Sequence, residues 1–212
     1  MGIDLFDSVG FRIVSKPVQS VGCKSLSTVT LDKYPQLLKP SGLIKGYQHK
    51  PLLVDNPKWV REPLRKLPLS MREPVSQELK RMEAEGIIER TDASPCISNI
   101  VVAQKKTGGV RVCIDIRNAN KNIIPGSQPL PTFDELSSDL TGSCIFSKLD
   151  LKWGYLQLKL AEESRYMTTF TSDFGVFRFC RLSFGLSSGP AAYQKVIAAI
   201  LEGINGVFNF FR

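Results

Sequence analysis

The sequence is poor in the residues that build zinc sites and disulfide frameworks. Its 212 residues include one histidine, His49, and five widely spaced cysteines with no C-x-x-C pair among them. This pattern excludes the usual structural zinc motifs, and an odd number of scattered cysteines is typical of reduced thiols. We therefore expect an intracellular protein, in the cytoplasm or the nucleus.

Long apolar runs are also absent. No stretch approaches the roughly 20 consecutive apolar residues that span a bilayer, and the short acidic opening at Met1–Asp7 lacks the pattern of a signal peptide. We expect no contact with a membrane. The hydrophobic fraction of 42% and the charged fraction of 23% are ordinary for a domain with one core.

Acidic residues are in deficit. The chain has 28 Lys+Arg against 20 Asp+Glu, which gives a formal net charge of +8, and its isoelectric point is about 9.3. Such an excess of positive charge favours a polyanionic partner, most simply a nucleic acid.

Residues 1–60 show no sustained hydrophobic periodicity and are predicted to form an irregular extension. After residue 60, hydrophobic periodicity predicts most of the secondary-structure elements. The first helix is predicted from the capping box Ser70–Glu73 and from Gly86 as its stop. The elements expected in chain order are a helix at about 70–85, a strand at 87–89, a hairpin of 100–103 and 110–116, a helix at 132–142, strands at 145–150 and 156–160, a hairpin of 167–171 and 176–182, a helix at 191–201 and a strand at 206–211. This order predicts an α+β fold with a mostly antiparallel sheet and packed helices.

The first hairpin carries a cationic face. Lys105 and Lys106 lie in its turn, and Arg111 and Arg117 alternate with the apolar residues of its return strand. These charges indicate either an arm that contacts a polyanion or a solvated hairpin protected against aggregation. The residues alone leave both interpretations open.

The strand at 145–150 ends in a carboxylate, Asp150. A charge at the end of a buried strand is unfavourable unless another group pairs with it. A metal ion is one such partner, and a turn in which Lys148 or Lys152 pairs with Asp150 is the other interpretation.

Six stretches in order and in register, at 85–89, 94–98, 105–121, 129–136, 146–155 and 184–194, together resemble one family. They are similar to the reverse transcriptase of gypsy-class LTR retrotransposons and their retroviral relatives. The resemblance covers residues 61–212 and implies the fingers (about 61–124 and 158–188) and a partial palm (about 125–157 and 189–212) of a right-hand polymerase. Residues 1–60 more weakly resemble a protease tail and linker from a Pol polyprotein.

The resemblance implies RNA-directed DNA synthesis on an RNA or DNA template-primer. In that reaction a primer hydroxyl attacks an incoming dNTP between two Mg²⁺ ions held by carboxylates. Asp150 matches the first of three metal-binding aspartates, and the Leu151 carbonyl matches a further metal ligand. Tyr155 matches the aromatic residue that screens the sugar for a 2′-hydroxyl.

The remaining site residues implied by the resemblance face the nucleotide. Arg111 matches an arginine that grips the triphosphate through its planar fork of donors, with Lys105 or Lys106 as the companion lysine. Phe184 matches a residue that packs on the sugar side. The nearby Asp115 and Arg117 are better explained as a structural ion pair.

The chain departs from the family at several positions. Trp153 stands where family members usually have a small or polar residue, Leu182-Ser183 replaces Met-Pro, and Ser188-Gly189 replaces Asn-Ala. The aromatic-x-Asp-Asp motif with the other two aspartates does not occur in these residues, which end in Asn209-Phe-Phe-Arg212.

One carboxylate cannot hold two divalent ions against their mutual repulsion and hydration. We therefore expect a fragment of the polymerase that does not synthesise DNA by itself. Two alternatives remain open. The fragment is either a non-catalytic nucleic-acid-binding remnant or, with an open sheet edge, an unstable product. The oligomeric state is not predicted.

Overall fold

The first helix, α1 (Leu69–Ala84), forms where the helical spacing of apolar residues predicts it. This computed structural model describes residues 9–12, 42–105, 108–127, 148–151, 153–207 and 209, and for 9–12 and 148–150 it describes the backbone only. Val75, Leu79 and Met82 of α1 are buried in the core, as their spacing predicts.

The other elements alternate short strands with helical turns. In chain order they are β1 (Val9–Arg12), β2 (Gln48–His49), β3 (Ile88–Arg90), β4 (Ser98–Gln104), β5 (Val110–Ile114), α2 (Arg117–Asn120), β6 (Lys148–Leu151), a 3₁₀ helix (Gly154–Gln157), β7 (Lys159–Leu160), a second 3₁₀ helix (Glu162–Thr168), β8 (Phe170–Ser172), β9 (Gly175–Phe179) and α3 (Gly189–Leu201).

Five of the strands form one sheet in the order β3-β9-β8-β4-β5. Its neighbouring pairs are antiparallel except for β4 and β8, which run parallel. This confirms the predicted α+β fold with a mostly antiparallel sheet. The core of the sheet holds Phe170 and Phe177, whose rings stack with centroids 5.7 Å apart. Burying each such ring contributes about 2 kcal/mol relative to exposing it.

The predicted start of α1 is wrong by a few residues, whereas its predicted end is confirmed. Pro68, not Ser70, occupies the N-cap, and no side chain caps this end. The fixed φ of proline favours this position, and it places Ser70 inside the first turn. At the other end Gly86 has a left-handed φ of 62°. Its amide and that of Ile87 bond the carbonyls of Glu83 and Met82, which is a Schellman motif.

The cationic hairpin has the predicted pairing. Val102 of β4 lies opposite Val112 of β5 in an antiparallel register. The alternate residues Val110, Val112 and Ile114 of β5 are buried, whereas Arg111 between them is exposed. Arg111 therefore lies on the face opposite the buried residues, as the alternation of residues predicts.

The strand predicted at 156–160 is largely wrong. Residues Gly154–Gln157 form a 3₁₀ helix, and only Lys159–Leu160 is extended. The amides of Leu156 and Leu158 bond the carbonyls of Trp153 and Tyr155, closing two successive tight turns. Apolar residues at every second position fit a strand, but these local hydrogen bonds curl the chain before it extends.

The segment from residue 42 to residue 60 has little regular structure but is attached to the core. The Ile44 side chain is buried, and its amide donates to the Gln157 carbonyl at 2.7 Å. Further along, β2 pairs in parallel with β7, and Leu53 forms an antiparallel bridge with Ile123. The remaining residues of the predicted 1–60 extension that the structure describes, 9–12, form β1, which pairs with β6.

Arg181 fastens this segment to the rest of the molecule. Its buried guanidinium donates to four backbone carbonyls, those of Gly42, Glu85, Gly86 and Leu156, at 2.9–3.2 Å. Burial lowers the pKa of Arg181, because the charged group has lost its water. The hydrogen bonds replace that water and join three segments that are distant in sequence.

The C-terminal part begins with α3, which contains Pro190 in its first turn and buries Tyr193, Val196 and Ile197, as predicted. The predicted helix at 132–142 lies outside the described residues. In the predicted strand at 206–211, residues 206, 207 and 209 are described and are not in a strand. Gly206 has a left-handed φ of 75°, which an extended strand does not permit.

Among the helices that the structure describes, none has both the length and the apolar surface required to cross a bilayer.

We expect Arg181→Met to lower the free energy of unfolding by on the order of 3 kcal/mol, because it leaves four backbone carbonyls without their charged donor. Urea denaturation followed by circular dichroism measures the change. The exposed Arg61 provides the matched control, Arg61→Met. An effect of Arg181→Met no larger than that of the control would contradict this role.

Candidate nucleotide-binding site

The predicted metal residue Asp150 lies in β6, near the strand's end, with its backbone opposite Gly10 of β1. The structure does not describe its side chain, so its metal contact stays a prediction, as does that of the Leu151 carbonyl. In the described part of the chain, no group of three or more His, Cys, Asp or Glu side chains could hold a metal ion.

The 3₁₀ helix after β6 brings Tyr155 against Phe184. Their rings meet edge to face, with centroids 5.2 Å apart and planes at 81°. Tyr193 of α3 also contacts Tyr155, with ring centroids 5.2 Å apart and planes at 47°. Burial raises the pKa of the Tyr155 hydroxyl, which stays protonated at neutral pH. The structure thus brings two predicted site residues together, with Phe184 43% exposed.

The turn that presents Tyr155 is built from an unusual pair of residues. Trp153 has a left-handed φ of 54°, and Gly154 follows it. A Cβ on Gly154 would collide with the Tyr193 hydroxyl, so any larger residue requires Tyr193 to shift. The guanidinium of Arg81, from α1, lies 4.5 Å from the centroid of the Trp153 ring.

The predicted phosphate-binding residues lie on the cationic hairpin. Lys105 directly follows β4, and its Nζ lies 3.4 Å from the Oε1 of Glu78 in α1. Arg111 is exposed on β5, and Lys106 lies outside the described residues. Both cations that the structure describes therefore belong to the same hairpin.

Glu78 holds two cations at once. Its carboxylate accepts from Arg81 Nε and Nη2 at 2.9 Å each, and from Lys105 at 3.4 Å. Burial alone would favour the neutral acid, but these two cations outweigh it and lower the pKa of Glu78. Arg81 also donates to Glu85 at 2.6 Å. Sequence reasoning missed this cluster, although i,i+3 and i,i+4 spacing on α1 permits it.

The predicted structural pair is confirmed. Arg117 donates to both carboxylate oxygens of Asp115, at 2.7 and 2.6 Å. These hydrogen bonds lower the pKa of Asp115. Asp115 therefore already has a cationic partner, Arg117, at the end of β5.

One contact near the site has no counterpart among the predicted residues. His49 Nε2 lies 2.8 Å from the Ser188 Oγ, at the N-terminal end of α3. Burial lowers the pKa of His49. The pair connects β2 to α3, the helix whose Tyr193 contacts Tyr155. The only signal for this contact in the sequence is that His49 is the single histidine.

The comparisons with known proteins agree with this architecture. A family model described as reverse transcriptase (RNA-dependent DNA polymerase) matches residues 103–211, slightly more than half of the chain. The chain belongs to the reverse transcriptase family. The matched region includes every predicted site residue, from Lys105 to Phe184.

Curated relatives of this reverse transcriptase segment are retrotransposon polyproteins and a related nematode protein. An uncharacterised protein of Caenorhabditis elegans is 35% identical over 146 residues, which cover 68% of this chain and 11% of that protein. The retrovirus-related Pol polyprotein of transposon gypsy from Drosophila melanogaster is 35% identical over 134 residues, covering 60% and 13%. The matched region thus spans only about a tenth of the length of these relatives.

Solved structures of the same fold come from foamy virus. The prototype foamy virus protease-reverse transcriptase superposes with a TM-score of 0.71 at 20% identity, covering 87% of this chain and 25% of that one. A foamy viral protease-reverse transcriptase in complex with an RNA/DNA hybrid superposes with a TM-score of 0.64 at 18% identity, with the same coverage of both chains. At this identity the likeness establishes the fold.

The partly buried His49 should make stability depend on pH. Because its pKa is lowered in the folded state, the unfolded chain binds the proton more readily below the usual histidine pKa of about 6.5. The free energy of unfolding should therefore fall as pH decreases through and below that value. Urea denaturation at pH 8 and pH 5.5 should show a larger loss for the wild type than for His49→Gln. Equal losses in both chains would contradict the prediction.

Proposed function

We propose that this reverse transcriptase segment supplies the fingers, at about 61–124 and 158–188, and the first part of the palm, at about 125–157 and 189–212. The single observation that carries the proposal is the packing of Tyr155 against Phe184, one tight turn after the strand that bears Asp150. An exposed aromatic next to a carboxylate strand suits a nucleotide sugar placed beside a metal-bound phosphate. Residues 1–60 would be the protease tail and linker.

Within that function the cationic hairpin binds the triphosphate. Arg111 and Lys105 or Lys106 supply the donors, since guanidinium and ammonium groups are the usual partners of phosphate oxygens. Tyr155 screens the sugar by its shape, and Phe184 packs against the sugar's other side. The exposure of Arg111 and Phe184 supports these roles, because both are accessible to a ligand.

Mg²⁺ fits the oxygen donors that the strand offers. Asp150 and the Leu151 carbonyl are hard oxygen ligands of the kind that Mg²⁺ prefers. When bound, a pair of such ions stabilises the attacking and leaving oxygens of the phosphoryl transfer. A single aspartate does not suffice for two ions, so these 212 residues alone should not extend a primer.

The partner would be an RNA or DNA template-primer. The net charge of +8 and the exposed cationic hairpin support binding to a phosphate backbone. The same features support the second candidate function, a nucleic-acid-binding protein without catalysis. A reducing intracellular compartment is the proposed location, and the three cysteines that the structure describes, Cys96, Cys113 and Cys180, are free.

Two measurements on the purified chain test these functions. Primer extension on a primed RNA or DNA template with Mg²⁺ and dNTPs should yield no product. Binding of the same template-primer should occur at low salt and weaken steeply with added salt, because binding releases counterions. Extension that is lost in Asp150→Asn would show that the chain is itself a polymerase, and absence of binding at low salt would contradict both functions.

A charge-matched pair of variants locates the binding surface. The double variant Lys105→Gln/Arg111→Gln should bind the template-primer with dNTP more weakly than the wild type. The control Lys80→Gln/Lys195→Gln removes the same charge from exposed positions of α1 and α3. Equal weakening in both double variants would contradict a specific role for the hairpin.

A further inference from the structure

The left-handed conformation of Trp153 requires an explanation. A bulky residue at a φ of 54° is strained, and such strain costs on the order of 1–3 kcal/mol. It persists only where surrounding contacts fix the residue. The Trp153 carbonyl also accepts the Leu156 amide at 2.9 Å, which closes the turn containing Tyr155. The position of Tyr155 therefore depends on whatever holds Trp153.

Arg81 is the charged group that holds it. Its guanidinium lies over the Trp153 ring at 4.5 Å, within the range of a cation–π contact. The guanidinium is itself fixed by Glu78 on one side and by Glu85 on the other. The hydrogen bonds from Arg81 to these carboxylates raise the pKa of Arg81, so the cation is permanent.

The Glu78 carboxylate also contacts the cationic hairpin. Glu78 Oε1 accepts both from Arg81 Nη2 at 2.9 Å and from Lys105 Nζ at 3.4 Å. At 3.4 Å this contact is long, so a phosphate oxygen bound by Lys105 would compete with Glu78 for the ammonium group. A nucleotide that draws Lys105 away therefore leaves the Glu78 carboxylate to Arg81 alone.

We propose that Arg81 is a positioning residue for the sugar-screening Tyr155, acting through Trp153, and that Glu78 links it to Lys105. Filling of the triphosphate position would thus be communicated through Glu78 and Arg81 to the turn that screens the sugar. This inference rests on the proposed function, since it assumes that Lys105 binds phosphate and Tyr155 contacts the sugar. It adds Arg81, Glu78 and Trp153 to the residues that determine selectivity.

Tryptophan fluorescence can follow the contact directly. The chain has two tryptophans, so Trp59→Phe leaves Trp153 as the only one. In that background Arg81→Met should shift or brighten the Trp153 emission, because it removes the cation over the ring. The control Arg72→Met lies on the same helix but pairs with Asp173, and should leave the emission unchanged.

Nucleotide titrations then test the link to selectivity. The chain is mixed with Mg²⁺ and a primer-template whose primer ends in a dideoxynucleotide, so that it cannot be extended. The next template base is thymine, and either dATP or ATP is added. The wild type should respond in Trp153 emission and prefer dATP. Arg81→Met should reduce that preference by about tenfold, the factor expected for one lost cation–π contact. Lys105→Gln should instead weaken both nucleotides equally and abolish the emission response.

The possible results separate the inference from the function on which it rests. If the wild type binds dATP but Arg81→Met keeps the same preference for dATP, the inference is wrong and the proposed function stands. If the wild type binds neither nucleotide, the proposed function is wrong and the inference falls with it. Arg81→Lys retains the cation and should keep the preference for dATP, so it carries the same test if Arg81→Met fails to fold.

Discussion

The fold depends on one buried cation. Arg181 donates to carbonyls at the end of helix α1, within the 3₁₀ helix that carries Tyr155, and at residue 42. A buried guanidinium without acceptors would be strongly unfavourable, so these segments can only pack in a mutual arrangement that supplies them. The arrangement fixes the orientation of the 3₁₀ helix relative to α1, and with it the distance between Arg81 and Trp153.

The candidate site is built from elements that are each unremarkable by themselves. A short strand ends near Asp150, a left-handed Trp153 turns the chain, and a 3₁₀ helix presents Tyr155 to Phe184. The cationic hairpin stands apart from this cluster and joins it through the carboxylate of Glu78. The residues proposed to bind phosphate and those proposed to contact the sugar lie on two elements, a separation that suits a polymerase in which the nucleotide bridges them.

The ion pairs differ in what they contribute. The ion pair of Arg117 with Asp115 lies at the end of β5, and Arg117 is exposed. Solvent screening therefore limits the contribution of this pair to stability. Glu78 with Arg81 and Lys105 is more buried and joins elements that belong to different parts of the site. The second cluster therefore has the greater influence on geometry, although its contacts to Glu78, at 2.9–3.4 Å, are longer than the 2.6–2.7 Å of the first pair.

The sequence by itself determined the fold class, the hairpin with its cationic face, the buried residues of α1 and the end of that helix, because these features depend on local periodicity and on glycine conformation. It also determined the family, through six motifs in register from Glu85 to Gln194. Only the tertiary structure decided that residues 154–157 curl into a 3₁₀ helix, that Pro68 opens α1, and that Arg81 stacks on Trp153. The stacking of Arg81 on Trp153 joins residues far apart in the chain, and the tight turns of residues 154–157 pack where Gly154 lies against Tyr193. The start of α1 depends on the fixed φ of Pro68, and hydrophobic spacing carries no information about any of these features.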